Sequence, residues 1–284
     1  NVGKSTLLNR LIEQKISITS RKSQTTRNNI LGIKTKENHQ MVFIDTPGVH
    51  INASKVMNKV LNQSALGAIE DADLIIFMLQ RNKINTLDEL ILERLKGIKT
   101  KKLCVINKLD QVTSKNSLLP VIEKLRSEYD FAEIIPVSAK TGKNINELEN
   151  MICQNLPENN HLYDSDTKFL AKESFMISEI IREKIIRFLG EELPHETYVQ
   201  LQKLEDKENI INIDAEIIVA RESQKGIVVG KNGAKLKKIG EKARIDLEKF
   251  FNKKVFLKTW VKTKKNWNND SDFISSLGIG SLYD

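Results

Sequence analysis

An open α/β domain followed by a smaller α+β domain is the fold that this 284-residue sequence predicts. Three observations predict it. The chain opens on Asn1-Val2-Gly3-Lys4-Ser5-Thr6, the back half of a phosphate-binding loop. Three apolar runs further on each end in a polar cluster, as strands of an open sheet do at their carboxyl edge. Beyond residue 168 the periodicity reads helix, strand, strand, helix, helix, strand, with a Gly-x-x-Gly between the paired helices.

In a phosphate loop, backbone N–H groups and a helix N-terminus face the phosphates, so fixed dipoles meet negative charge. Gly3 removes the Cβ that would hold the backbone off. Lys4 is placed to reach the β- and γ-phosphates and the Ser5 hydroxyl to bind Mg2+, with Asn1, Val2 and Thr6 completing the GTP-binding turn. Leu7, Leu8, Leu11 and Ile12 recur behind it at helical spacing. The full motif needs an earlier glycine and a strand before that, and the sequence starts after both. An α/β P-loop domain lacking its first strand is expected to leave unpaired backbone on the two strands beside the gap. A polypeptide starting at Asn1 is therefore expected to bind GTP weakly, and one extended upstream to bind it normally.

The strand ends come next. Val42-Phe43-Ile44 leads into Asp45-Thr46-Pro47-Gly48, where a carboxylate at a strand end suits Mg2+ and the Gly48 N–H suits a γ-phosphate. Leu103-Cys104-Val105-Ile106 leads into Asn107-Lys108-Leu109-Asp110, and Ile134-Ile135-Pro136-Val137 into Ser138-Ala139-Lys140. Asp110 decides the base. Its carboxylate can accept both N1–H and the N2 amino group of guanine, a donor pair that adenine lacks. A site built for such bonds rejects the analogue without them by roughly 10⁴–10⁵. Asn107 suits the opposite edge of the base, the Lys108 stem its face, and the Ala139 N–H its O6. Alone, N-K-x-D is more often a solvated Asp after a Lys. In this order, and at these strand ends, the motifs read as a domain that binds GTP and GDP.

With Gln24-Thr25-Thr26-Arg27 between the first two, these motifs resemble the five nucleotide-binding elements of the TrmE–Era class of translation GTPases. The resemblance implies that a threonine of the Thr-Thr-Arg stretch ligates Mg2+ when GTP is bound, Thr26 being the expected one and Thr25 the alternative. Lys4, Thr26 and Gly48 then make up the catalytic set, and Ser5, Thr26 and Asp45 the Mg2+ ligands. Val49 stands where many GTPases orient water with a Gln, and it can neither donate nor accept a hydrogen bond, so intrinsic hydrolysis is expected to be slow. Some members hold K+ with a loop Asn in place of an arginine finger. Asn1 occupies that position, which implies K+ stimulation.

Composition sets the wider class. Forty per cent hydrophobic and 29% charged residues suit globular domains. The apolar runs are far too short to span a membrane, and no secretory signal is visible. The two cysteines do not make a disulfide framework: Cys104 falls in an expected buried strand and Cys153 on a helix, both reduced in a cytoplasmic protein. The four histidines show no metal-ligand spacing. Net charge is +8, unevenly spread. Residues 221–267 carry 15 basic against 4 acidic side chains, the footprint of a nucleic-acid face, although a solvated lysine surface has the same sum.

Helical periodicity over 144–154 closes the first domain, placed at 1–156, and periodicity is lost over a linker at 157–168. The second domain, 169–284, begins with an amphipathic helix over 173–189. Strands follow at 197–204 and 210–220, a short helix from 223, then Gly230-Lys231-Asn232-Gly233, a helix over 234–251 and a strand over 255–261. That order is the type II KH topology. Its two glycines let an RNA backbone come close, and the helix after Gly233 aims its N-terminus at the phosphates. Lys225, Lys231, Asn232, Lys235 and Lys238 are the expected RNA contacts, with Ile227, Val228 and Val229 lining an apolar groove. Trp260 is expected to pack, and Trp267 to be a linker or surface aromatic.

A TrmE–Era type domain followed by one type II KH domain resembles the Era-type GTPases, over nearly the whole chain. The resemblance implies a monomeric, cytoplasmic switch that binds the 3′ end of small-subunit ribosomal RNA in a GTP-dependent way and promotes small ribosomal subunit assembly. Peripheral contact with the inner membrane is reported for such proteins, though no residue here demands it. One rival is a GTPase of tRNA modification, which lacks a KH unit. Another is an RNA-binding KH protein whose GTPase domain is inactive.

Overall fold

The computed structural model describes residues 2–19, 26–48, 55–81, 84–189 and 196–279, so Asn1, Gln24, Thr25 and Val49 lie outside the described residues. The chain gathers into two units. One holds the residues up to Ser17 with 30–46 and 65–170; the other holds 18–29, 47–64 and the chain from Ala171.

In the first unit α1 (Lys4–Ile12) is followed by β1 (Ile30–Lys36) and β2 (His39–Asp45). The helix α2 (Val56–Glu70), of which the residues from Ala65 belong to this unit, precedes the alternation β3 (Leu74–Gln80), α3 (Thr86–Lys96), β4 (Lys101–Asn107), α4 (Leu119–Glu128), β5 (Glu133–Pro136) and α5 (Ile145–Asn155). The two-residue strand β6 (Phe169–Leu170) returns to pair with β1. β3, β4 and β5 form one parallel sheet, β2, β1 and β6 an antiparallel one. Among the described residues β2 and β3 are each paired on one side only. The two sheets nevertheless share one core, in which Met41 of β2 meets Met78, Leu103, Val105 and Leu148. Cys104 and Ile106 face a second core with Leu79, Leu92 and Leu125, so β4 is apolar on both faces, as a central parallel strand must be. Gly32 lets α1 lie close against β1. A Cβ there would come within 2.9 Å of Leu8, Ile12 and Ile16 side chains.

The second unit contains α6 (Glu173–Phe188), β7 (Thr197–Lys207), β8 (Ile210–Val219), α7 (Glu222–Val229), α8 (Ala234–Phe251), β9 (Lys254–Thr263) and α9 (Ser271–Ser276). The order from α6 to β9 is the expected one, and the sheet runs β7–β8–β9 with β8 and β9 parallel. Ile177, Ile181 and Ile185 of α6 and Ala243 and Leu247 of α8 bury one face of it against Ile213 and Ile217. Charges are buried as well, each with a partner. Arg182 donates twice to Glu179, at 2.6 and 2.7 Å, and Glu183 accepts from Lys184 at 2.9 Å and from Arg187 at 2.7 Å.

Two expectations need correcting in this unit. Trp267 is fully buried, not a surface aromatic: it packs among Met57, Leu61, Ile218, Ala220 and Ile274, and its indole N–H donates to the Glu196 carbonyl at 3.1 Å. All of those partners except Ile274 come from three distant stretches, so no local pattern could announce the site. Val228 is likewise fully buried in the core and does not line a groove, whereas Ile227 beside it is 43% exposed. A helix turns successive residues by about 100°, which sends one inward and the next outward.

Candidate functional site

The phosphate end is built by α1. Gly3, at φ 102°, caps the helix without a side-chain hydrogen bond, so no side chain of its own occupies the first N–H groups. A Cβ on Gly3 would come 2.4 Å from Asn107 Nδ2, which itself donates to the Val2 carbonyl at 2.8 Å. That approach ties the loop to the end of β4. Lys4 is half-buried at the first helical position and Thr6 at the third.

Ser5 Oγ donates to Asp45 Oδ2 at 2.8 Å, and Ser17 Oγ donates to the same oxygen at 2.9 Å. All three residues are buried. A hydroxyl and a carboxylate are hard oxygen donors of the kind Mg2+ takes, usually completed by phosphate oxygens and water. The donor set therefore fits that ion. Among the described residues no cluster of three His, Cys, Asp or Glu could hold a metal. Thr46 stays with this unit, while Thr26, Pro47 and Gly48 belong to the second, where Thr26 is buried. The structure thus brings Ser5 and Asp45 together.

The corner expected to read the base lies at the ends of β4 and β5. Asn107 is only 3% exposed, and its Oδ1 accepts the Ala139 N–H at 3.0 Å. The Ser138 hydroxyl donates to Asp110 Oδ1 at 2.6 Å and accepts the Thr141 N–H at 3.2 Å. Lys108 takes the left-handed conformation, φ 65°, and its ammonium donates to Gln80 Oε1 at 2.7 Å. Burial, and then Arg81 nearby, lower its pKa. Lys140 is exposed, but its carbonyl accepts from Arg10 Nη2 at 2.6 Å while Arg10 Nε donates to the Ala139 carbonyl at 3.1 Å. Asn9, Arg10, Ser17 and Gln80 escape any motif. The one signal for Asn9 is its place in the middle of a helix, where Asn is a poor former and asks for a tertiary reason.

In the second unit the Gly-x-x-Gly is shaped by its backbone. Gly230, Asn232 and Gly233 have φ of 71°, 51° and 75°. A Cβ on Gly230 would stand 2.7 Å from Lys235 Cβ, so close packing of α8 also requires glycine there. Gly233 caps α8 without a side-chain bond, leaving the N-terminus of an 18-residue helix without a side-chain acceptor from its cap. Lys231 and Asn232 are exposed, Lys225 and Lys235 half-buried. The Lys238 ammonium lies over the Phe188 ring, 5.1 Å from its centroid. Trp260 is half-buried, its indole N–H donating to Glu216 at 2.9 Å, in keeping with a packing role.

Arg27 is buried in this unit as well. It donates to the Thr197 carbonyl at 2.6 Å and stands over the Trp267 ring, 5.9 Å from its centroid. Burial, with Arg182 beside it, lowers its pKa to about 9, which leaves it charged at neutral pH.

Comparison with known proteins fits both halves. Residues 1–108 match the family described as 50S ribosome-binding GTPase, and residues 192–268 match the KH domain family. The chain is 46% identical to the GTPase Era of Coxiella burnetii over 279 residues, covering 98% of this chain and 94% of that protein. It is equally similar to the GTPase Era of Haemophilus influenzae, of which it covers 92%. Among solved structures, an Aquifex aeolicus Era variant bound to GDP·AlF4− superposes with a TM-score of 0.94 at 35% identity, covering 98% of this chain and 95% of the other. A second, Era in complex with MgGDPNP and nucleotides 1506–1542 of 16S ribosomal RNA, matches with the same values.

Proposed function

The chain belongs to the Era family of GTPases, and from that premise we propose that it is a GTP-hydrolysing switch whose KH domain binds the 3′ end of small-subunit ribosomal RNA and promotes assembly of the small subunit. One observation carries the nucleotide half. Asn107 accepts from Ala139 and donates to Val2, so a single buried side chain joins the base corner to the phosphate loop.

GTP would lie with its guanine between Asp110 and Ala139 and its phosphates at the start of α1. Mg2+ would be held by Ser5 and Asp45, with Thr26 joining when GTP is bound, and would supply charge neutralisation of the β- and γ-phosphates. Lys4 neutralises the same oxygens, Gly48 offers an N–H to the γ-phosphate, and Asn107 and Asp110 fix the base. A solved Era contains MgGDPNP together with the ribosomal RNA segment, which supports joint occupancy of the two domains. Asn1 is assigned a K+ ion on the same reading. A hydrolysis rate several-fold faster in KCl than in NaCl is expected, and equal rates would remove that assignment.

For the RNA half, the Gly-x-x-Gly loop presents backbone and lysines to about four nucleotides. Changing Lys231 and Asn232 together to Asp should weaken single-stranded RNA binding at least tenfold and leave GDP affinity intact. RNA affinity that survives this double change would show that the loop is not the clamp.

A further inference from the structure

α1 presents Ser5 and Asn9 four residues apart on one face, and both reach the same end of β2. Ser5 does so directly, through Asp45 Oδ2. Asn9 does so through Ser17. Its Oδ1 accepts the N–H of Ile16 at 2.9 Å and of Ser17 at 2.8 Å, and its Nδ2 donates to the Ser17 carbonyl at 2.7 Å. Both backbone groups of Ser17 are thus clamped by one side chain. The Ser17 hydroxyl, 1% exposed, then donates to Asp45 Oδ2 at 2.9 Å.

We propose that Asn9 and Ser17 are positioning residues for the metal-binding carboxylate of Asp45, setting how tightly Mg2+ is held with the nucleotide. The inference rests on Asp45 being the Mg2+ anchor of the preceding section. The physical reason is preorganisation. A carboxylate whose one oxygen is held by two buried hydroxyls has lost its rotational freedom before the ion arrives, so the ion need not impose that order. Loop anchoring alone would require only the three backbone bonds to Asn9. The Ser17 hydroxyl adds nothing to them and is spent on Asp45.

The test uses the full-length protein. Dissociation of N-methylanthraniloyl-GDP is followed across a Mg2+ titration for the parent, Ser17→Ala, Ser17→Thr and Asp45→Asn. Ser17→Ala should raise the half-saturating Mg2+ concentration about tenfold, as loss of an outer-shell partner does. It should leave GDP affinity in EDTA and the preference for guanine over adenine unchanged, and Ser17→Thr should restore the parent value. Asn9→Asp keeps the acceptor but loses the donor to the Ser17 carbonyl, so it should shift Mg2+ in the same direction by less. If Asp45→Asn shifts Mg2+ dependence and Ser17→Ala does not, the positioning role is overturned while Asp45 keeps its own. Equal weakening by Ser17→Ala with and without Mg2+ also overturns it, since that marks a loop contact. An Asp45→Asn variant with parental Mg2+ dependence overturns the assignment of Asp45 and this inference together.

Discussion

The proposed base-reading corner of the first unit and the proposed RNA-binding Gly-x-x-Gly loop of the second are built from different materials. At the corner, Asn107, Ser138 and Ala139 are at most 3% exposed; Asn107 already accepts the Ala139 N–H, and the Ser138 hydroxyl already bonds Asp110 and Thr141. At the loop, Lys231 and Asn232 are exposed, and the shape comes from three positive φ angles. The difference teaches what each ligand demands. Selecting one base requires desolvated donors and acceptors, because a mismatch must leave a buried group unpaired. Holding a strand of phosphates requires only close backbone approach and charge, both of which water and salt can partly replace.

The comparison can be broken from either side. Asp110→Asn puts an amide donor before the guanine amino group, and GDP affinity should fall on the order of 10³-fold, measured by calorimetric titration. A loss below tenfold would mean that the corner does not read the base. Next in size is Gly230→Ala, whose Cβ meets Lys235 and whose φ of 71° strains any L-residue. Backbone strain of about 1–3 kcal/mol should cost RNA roughly ten- to a hundredfold with GDP affinity unchanged. If RNA binding is untouched, backbone shape is not what the loop contributes. Smaller still is Lys235→Ala, which should lower the slope of log affinity against log salt by about 1 for every RNA sequence alike. Lys238→Ala should do least, because its ammonium already lies over the Phe188 ring; a larger loss than for Lys235 would reverse their order.

Much of the fold could be read from the chain. The strand ends at Asp45 and Asn107 fall where the apolar runs place them, and the elements from 173 to 263 appear in the expected order. Periodicity and turn chemistry are local, and these elements are locally consistent. Trp267 and Val228 were not legible. Trp267 is buried by Met57, Leu61 and Ile218, none of them near it in sequence. Arg27 was singled out only as the end of a Thr-Thr-Arg stretch, yet it is buried against Thr197 and Trp267, about 170 and 240 residues away.

By itself the sequence determined the chemical inventory: the donors, acceptors and charges proposed to meet guanine, phosphate, Mg2+ and RNA, and the strand ends and loop that carry them. That is possible because a residue's donors, charge and allowed φ travel with its identity. Only the tertiary structure decided how those groups are held. It showed one asparagine bonding both Val2 and Ala139, a second clamping Ser17 beneath Asp45, and a glycine kept bare by α8. Such constraints depend on which distant segments are pressed together with water excluded, and that is settled by packing of the whole chain.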